Sequence, residues 1–347
     1  ELRGQTQPRL FTPPLAIHCD TSRTDGCACG CGLNPDTSWG FECCDFLENV
    51  LGWDLIPYQR WLYIHSLEKG LDGTGFRFPT LVILIARQNG KTKWLRGLGL
   101  WRLYLHPRGL SAPDRPAAKN VVIAAQGLEY AESTLTEVVE DVKNCPVLKR
   151  EFITHKQTNG KHRMVLSGRR GWRAIAANRG GGRSLSIDLA ELDELREHQT
   201  WLAWNAIVPT TTARAYAQAV AASNAGDKTS VVLRSLRNGA IKRILTGDTD
   251  TTRIGLFEWS IPEDADPLER QYWPMANPAL GYLPGHDEES LAAKAEAMAD
   301  NMPGFKTEHL CQWVDTLAPG IIPMDEWETT SDPTSRRAEG APVWAAV

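Results

Sequence analysis

The apolar positions of this chain change their spacing several times, and those changes divide it into elements. From Phe41 the spacing is helical: Phe41, Cys44, Phe46, Leu47, Val50 and Leu51 fall on one face. A second helix is expected after Pro57, with Trp61, Leu62, Ile64, His65 and Leu67 as its apolar positions. Leu81-Val82-Ile83-Leu84-Ile85 is a short unbroken apolar run, as required of a strand covered on both faces. A helix follows Gly90-Lys91-Thr92 and ends near His106-Pro107. Val121-Val122-Ile123-Ala124-Ala125 reads as the next strand, and residues 128–143 return to helical spacing. Residues 163–167 and 172–177 suggest a hairpin around 168–171, and strands are expected at 185–192 and 217–222.

Strands alternating with helices predict an α/β domain with a mostly parallel sheet and helices on both faces. The character changes after Pro262, where Pro, Trp and Gly punctuate the chain and one helix is evident at 288–300. The resulting division is an irregular Cys-rich arm at 1–40, a core at 41–261, a small helical lid or linker at 262–320, and a further segment at 321–347 in which 342–347 begins a strand. There is no internal repeat.

Two segments carry candidate chemistry. Ile85-Ala86-Arg87-Gln88-Asn89-Gly90-Lys91-Thr92 lies between a buried strand and a helix. Backbone amides at a helix N-terminus point at an anion, and the helix dipole favours negative charge there. Lys91 would reach the β- and γ-phosphates of a nucleotide, and the Thr92 hydroxyl would ligate Mg²⁺. The usual phosphate-loop pattern has Gly where this chain has Ile85, so the match is partial. About a hundred residues on, Leu189-Ala190-Glu191-Leu192-Asp193-Glu194 ends a strand in two carboxylates. Asp193 would be the metal-side acid, and Glu194 the base or water-orienting group. Asp188 and Glu191 interrupt a strand that ought to be buried, so one face is polar or one carboxylate has a partner. Together these segments predict a P-loop NTPase of the RecA/ASCE-like type.

With the motifs in this order the chain resembles the ATPase half of the tailed-phage terminase large subunits, DNA-packaging motors with a deviant Walker A. The resemblance covers roughly 35–320. It implies that Arg87-Gln88-Asn89-Gly90-Lys91-Thr92 binds phosphates. It also implies that Pro57-Tyr58-Gln59 is an adenine-reading turn, with Gln59 on the base edge and Tyr58 beside it. Ser223-Asn224-Ala225-Gly226 is similar to the family's coupling motif, which places Asn224 near the nucleotide. A trans-acting arginine would precede the acidic strand in Arg179-Gly180-Gly181-Gly182-Arg183, with Arg183 the nearer match and Arg179 the second. Further implications are ATP and Mg²⁺ as cofactors, a self-assembled ring on double-stranded DNA, portal protein and small terminase subunit as partners, and the infected host's cytoplasm as location. A second, nuclease domain is expected where this chain stops.

Composition narrows the choice. The chain has 347 residues, 42% hydrophobic and 23% charged, with net charge −4; that argues against a simple basic nucleic-acid coat but allows a local grip on DNA. Its apolar runs are too short to span a bilayer, so no membrane role is expected. The start at Glu1 shows no apolar signal region and reads as processed or trimmed. A two-domain helicase would need a second α/β domain that 262–347 is too short to supply. A GTPase would need an Asn-Lys-x-Asp motif, and Asn224-Ala225-Gly226-Asp227 lacks the Lys. A non-catalytic nucleotide-binding scaffold is the other class. Of eight cysteines, Cys19, Cys27, Cys29, Cys31, Cys43 and Cys44 crowd the first 44 residues, with His18 among them. Zinc held by four thiolates, or by three and a His, is one reading and a disulfide the other; single-residue spacing departs from the usual Cys-x-x-Cys knuckle.

Overall fold

The computed structural model of the chain describes residues 2–71, 73, 75–105, 115–158, 161–177, 186–212, 214, 216–317 and 334. Arg179, Arg183 and the 342–347 strand expected from sequence lie outside them. Among the described residues nine strands form one sheet: β1 (Leu10–Phe11), β2 (Thr80–Leu84), β3 (Asn120–Ala125), β4 (Phe152–Thr158), β5 (Lys161–Leu166), β6 (Arg170–Ala176), β7 (Leu189–Asp193), β8 (Gln218–Ser223) and β9 (Ile254–Glu258). The helices are α1 (Gly40–Asn49), α2 (Pro57–Ser66), α3 (Lys91–Tyr104), α4 (Leu128–Asn144), α5 (Pro146–Lys149), α6 (Leu202–Ile207), α7 (Val231–Thr246), α8 (Trp273–Ala276), α9 (Glu288–Ala297) and α10 (Met302–His309).

The strand order is β1-β9-β2-β8-β7-β3-β6-β5-β4. The run from β9 to β6 is parallel throughout. Antiparallel β1 closes one end, and the β4-β5-β6 meander closes the other. Parallel strands require crossovers, and crossovers cover both faces with helices. Side chains accordingly alternate between two cores. Leu81, Ile83, Val121, Ile123, Leu189 and Val220 face α1 to α4, whereas Val82, Leu84, Val122, Ala190, Leu192 and Ala221 face the side of α6 and α7. That is why β2, β3 and β8 read as unbroken apolar runs.

A third core is separate. Ile261, Trp273, Leu280, Leu291, Phe305 and Leu310 pack together, with Leu2 against them. This helical unit is closed at its base, where the Ile261 amide donates to the Leu310 carbonyl at 3.2 Å. Gln312 Nε2 binds the carbonyls of Pro262, Glu263 and Ala265 there as well. The arm is not free of the rest. Gly4 and Gln5 donate to Leu280 and Pro274 of the helical unit, and β1 pairs with β9 of the sheet. Two residues of strand are too few to show a period, so the sequence gives no sign of β1.

Helix α3 lies close on the sheet at Gly99. A Cβ built there would overlap the Trp172 ring of β6, itself fully buried. Gly99→Ala is therefore expected to destabilise the fold by about 1–3 kcal/mol through overpacking. The check is denaturant unfolding, and an unchanged midpoint would contradict this packing.

Candidate functional site

The loop between β2 and α3 is shaped by its own backbone. Gly90, which caps α3, has φ 87°, and Gln88 before it has φ 62°. Gly90 also needs the absence of a side chain, because an added Cβ would stand 3.0 Å from Gln59 Nε2 and 3.5 Å from the Tyr58 hydroxyl. The Pro57-Tyr58-Gln59 turn thus abuts the phosphate loop: the Tyr58 hydroxyl donates to the Asn89 carbonyl, and Gln59 Oε1 accepts the Ile56 amide at 3.4 Å.

Asn89 is fully buried and its side chain is saturated by protein. Its Nδ2 donates to the carbonyls of Ala86 and Arg87 and to Asn277 Oδ1, the last at 2.9 Å, while its Oδ1 accepts the Ala279 amide at 2.9 Å. That side chain ties the loop to the helical unit, 188 residues downstream. Gln88 Oε1 accepts from Lys294 of α9 at 2.5 Å, a second tie of the same kind.

Lys91 is buried, with Nζ donating to the carbonyls of Ile85 at 2.8 Å and Ala86 at 3.2 Å. Burial lowers its ammonium below the ordinary range, and the charges of Glu194 and Asp193 act against that. Asp193 lies on the sheet face that carries α3, because Leu189, Glu191 and Asp193 alternate with Ala190 and Leu192, and Glu194 follows at the strand's end. Burial, with Glu194 beside it, pushes the Asp193 carboxyl up to about 6, and Lys91 opposes the shift. Glu194 adopts φ 56°, an unfavourable left-handed conformation for a residue with a Cβ. One of its carboxylate oxygens, Oε2, is buried without a hydrogen-bond partner.

Arg87, Thr92, Asp193 and Glu194 line one cavity of about 520 Å³, together with Gln126, Tyr130, Glu137 and Glu197. The carboxylates of this lining have cationic neighbours: Arg96 pairs with Glu137, Arg196 with Glu194 and Glu197, and Lys91 opposes the shift of Asp193. Of the other residues expected at the site, Tyr58 and Gln59 pack behind Gly90. The Asn224 side chain is fully buried and donates from Nδ2 to the Thr307 carbonyl of α10 at 3.1 Å, leaving its Oδ1 unpartnered.

Two side chains that the sequence reading did not single out organise this edge. The Arg196 amide donates to Ser223 Oγ at 3.0 Å, joining the acidic turn to the end of β8. Its guanidinium stands 3.8 Å from Glu194, 2.9 Å from Glu197 and 3.2 Å from Glu308 of α10. Glu308 also takes Arg87, whose amide donates to the Glu308 carbonyl at 2.7 Å and whose side chain lies 3.5 Å from its carboxylate. One α10 residue thereby joins the phosphate loop to the acidic turn. Their meeting was not visible from local pattern, because Glu308 lies 112 residues from Arg196 and 221 from Arg87.

The interrupting acids have different fates. Asp188 Oδ2 accepts the amides of Lys119 and Asn120, each at 2.9 Å, and its other oxygen lies 3.4 Å from Arg214. Glu191 is fully buried with neither oxygen hydrogen-bonded, and burial, with Asp193 nearby, holds its carboxyl well above the usual range.

In the sheet the β8 loop sits between the strand of the phosphate loop and the acidic strand. With helices on both faces, this is an α/β P-loop fold of the ASCE arrangement. The comparisons fall on one group of proteins. Over 261 residues the chain is 29% identical to the terminase large subunit of Enterobacteria phage HK97, a match taking in 71% of this chain and 46% of that protein. The crystal structure of the HK97 large terminase superposes with a TM-score of 0.63 at 24% identity, over 84% of this chain and 58% of that one. The large-terminase ATPase domain of Thermus phage P74-26, in a substituted form, superposes with a TM-score of 0.50 at 16% identity, over 78% of this chain and 98% of that one. No family model matches. The chain spans about half the length of the curated relative it matches. The resemblance drawn from the motifs is thus carried by sequence and by fold: the chain is similar to the ATPase portion of a phage terminase large subunit.

The Asn89 contacts can be measured. Asn89→Ala leaves the Ala279 amide and Asn277 Oδ1 buried without partners and is expected to cost about 1–3 kcal/mol. Combined with Asn277→Ala the losses should fall short of additivity. Additive unfolding free energies in the double-mutant cycle would refute the coupling.

Proposed function

We propose that this chain is the ATP-hydrolysing motor portion of a terminase that moves double-stranded DNA into a viral procapsid. The observation that carries this reading is the single cavity lined by Thr92, Asp193 and Glu194, with the charge of buried Lys91 coupled to both acids. The donor set suits Mg²⁺, since a hydroxyl and a carboxylate are hard oxygen ligands.

In this reading Thr92 and Asp193 would hold the magnesium that accompanies ATP, and the ion would supply charge neutralisation for the phosphates. Main-chain amides from Gln88 to Thr92 cradle the phosphates, and Lys91 swings from the Ile85 and Ala86 carbonyls to the γ-phosphate. Glu194, with its unpartnered Oε2, orients the attacking water and accepts its proton. Gln59 and Tyr58 set the adenine end. The Arg87 side chain leaves Glu308 for the phosphates, which loosens one of the ties on α10 and passes the nucleotide state to the helical unit. Asn224, bonded to the same helix, is a second route for that signal.

A neighbouring copy in a ring supplies the arginine that completes the site, Arg183 or Arg179. Double-stranded DNA, the portal protein and the small terminase subunit are the partners of this reading, and the host cytoplasm is where they meet. No helix among the described residues is long and apolar enough to cross a membrane.

Phosphate release measured against protein concentration tests the reading. Wild-type turnover per chain should rise with concentration as copies assemble. Glu194→Gln should lower kcat by about 10²–10⁴-fold, the usual worth of a general base. Absence of turnover in the wild type at every concentration, with DNA present, would favour the non-catalytic scaffold, and full activity in Glu194→Gln would remove the base from the mechanism.

A further inference from the structure

The fold gathers three of the arm's cysteines around a histidine from another element. Cys27, Cys29, Cys31 and His65 bring one ligand atom each to within 4.8 Å of one another. Cys29 Sγ lies 3.2 Å from Cys27 Sγ and 3.7 Å from His65 Nε2. A tetrahedral zinc with Zn–S of ~2.3 Å and Zn–N of ~2.0 Å holds sulfurs about 3.8 Å apart and sulfur to nitrogen about 3.6 Å apart. A disulfide would bring the sulfurs to about 2.05 Å, and the cysteines are free.

The histidine is prepared for this role. Its ring is buried and stacks on Trp61, with centroids 3.6 Å apart and planes 14° off parallel. Nδ1 faces the Trp61 carbonyl at 2.9 Å and so carries the proton, which leaves the Nε2 lone pair facing Cys29. A backbone carbonyl holding the distal nitrogen is the usual support of a metal-bound imidazole. Gly30, at φ 75°, and Gly32, at φ 85°, turn the backbone tightly enough for alternate residues to converge. That turn is how single-residue spacing supplies three ligands to one point.

The other candidates in the arm and in α1 are engaged elsewhere. His18 Nδ1 lies 2.8 Å from Glu68, Cys19 Sγ donates to the Leu15 carbonyl at 3.4 Å, and Cys44 Sγ approaches the Arg60 carbonyl at 3.9 Å. Cys43 is fully buried in the main core.

We infer that Cys27, Cys29, Cys31 and His65 form a closed Cys₃His structural zinc site that fastens the N-terminal arm to α2. All four tetrahedral positions are filled by protein, so the ion has no open position for chemistry. The fastened helix is the one that carries Tyr58 and Gln59 against Gly90. The inference stands on these four side chains and not on the nucleotide reading.

The experiment is metal analysis of the full chain. Elemental analysis of the purified protein should find roughly one zinc per chain, the stoichiometry of one tetrahedral site. Cobalt(II) added to metal-free wild type should give the intense visible bands of tetrahedral thiolate coordination, and zinc should bleach them. His65→Ala should weaken zinc binding by at least about 100-fold, more than the loss of a mere outer-shell partner, while Cys145→Ser leaves it unchanged. Because His65→Ala could disturb the Trp61 stack, the wild-type cobalt spectrum is the deciding measurement. Octahedral, weak cobalt bands, or a Cys27–Cys29 disulfide in protein purified under reducing conditions, would overturn the site.

Discussion

Parallel register is the constraint on which this molecule rests. Because β9, β2, β8, β7, β3 and β6 run the same way, their carboxyl ends meet at one edge, and every loop that leaves that edge begins beside the others. Ligands of open α/β sheets sit in the crevice at such an edge. The phosphate loop leaves β2, the Ser223-Asn224 turn leaves β8, and the acidic turn leaves β7, in adjacent order across the sheet. Their nearness costs no special device; it follows from covering both faces of a sheet with crossover helices.

The devices appear where those loops must be held in strained shapes. Gln88 and Glu194 both occupy left-handed backbone, and each is flanked by ties to other elements. Asn89 fixes the first loop to Asn277 and Ala279, while Ser223 receives the Arg196 amide beside the second. The helical unit is therefore part of the site's support as well as its neighbour. A side chain such as Asn89, which reads as a ligand-facing residue by its place in a motif, spends all its polar atoms on that support.

Much of the scaffold was legible because buried parallel strands have an unambiguous signature. β2, β3 and β8 stand out as unbroken apolar runs, and α4 by its helical spacing. β9 is as buried and as long as β2, but Gly255 and Glu258 break its apolar run, and β4 lies on the sheet's edge with polar side chains throughout its second half. Neither carries a period strong enough to name. At the site, the order of Lys91, Thr92, Asp193 and Glu194 was readable because loops at one edge keep fixed places relative to their strands. Arg196 and Glu308 were not, since their meeting depends on how α10 packs. His65 was hidden differently: its spacing fits the apolar stripe of α2, and only the stacked ring and its free nitrogen reveal a second use.

The first residues of the chain bear on how far the helical unit can travel. Gly4 and Gln5 are bonded to Leu280 and Pro274 of that unit, and Leu10 is paired into the sheet. Residues 6–9 alone bridge the two, a length of chain that reaches no more than about 18 Å even when drawn straight. Arg9 is moored besides, to Ser260 and Glu258. The terminus thus acts as a short leash: small rotations of the helical unit take up its slack, and any larger swing must first strip β1 from the sheet or peel the leading residues away.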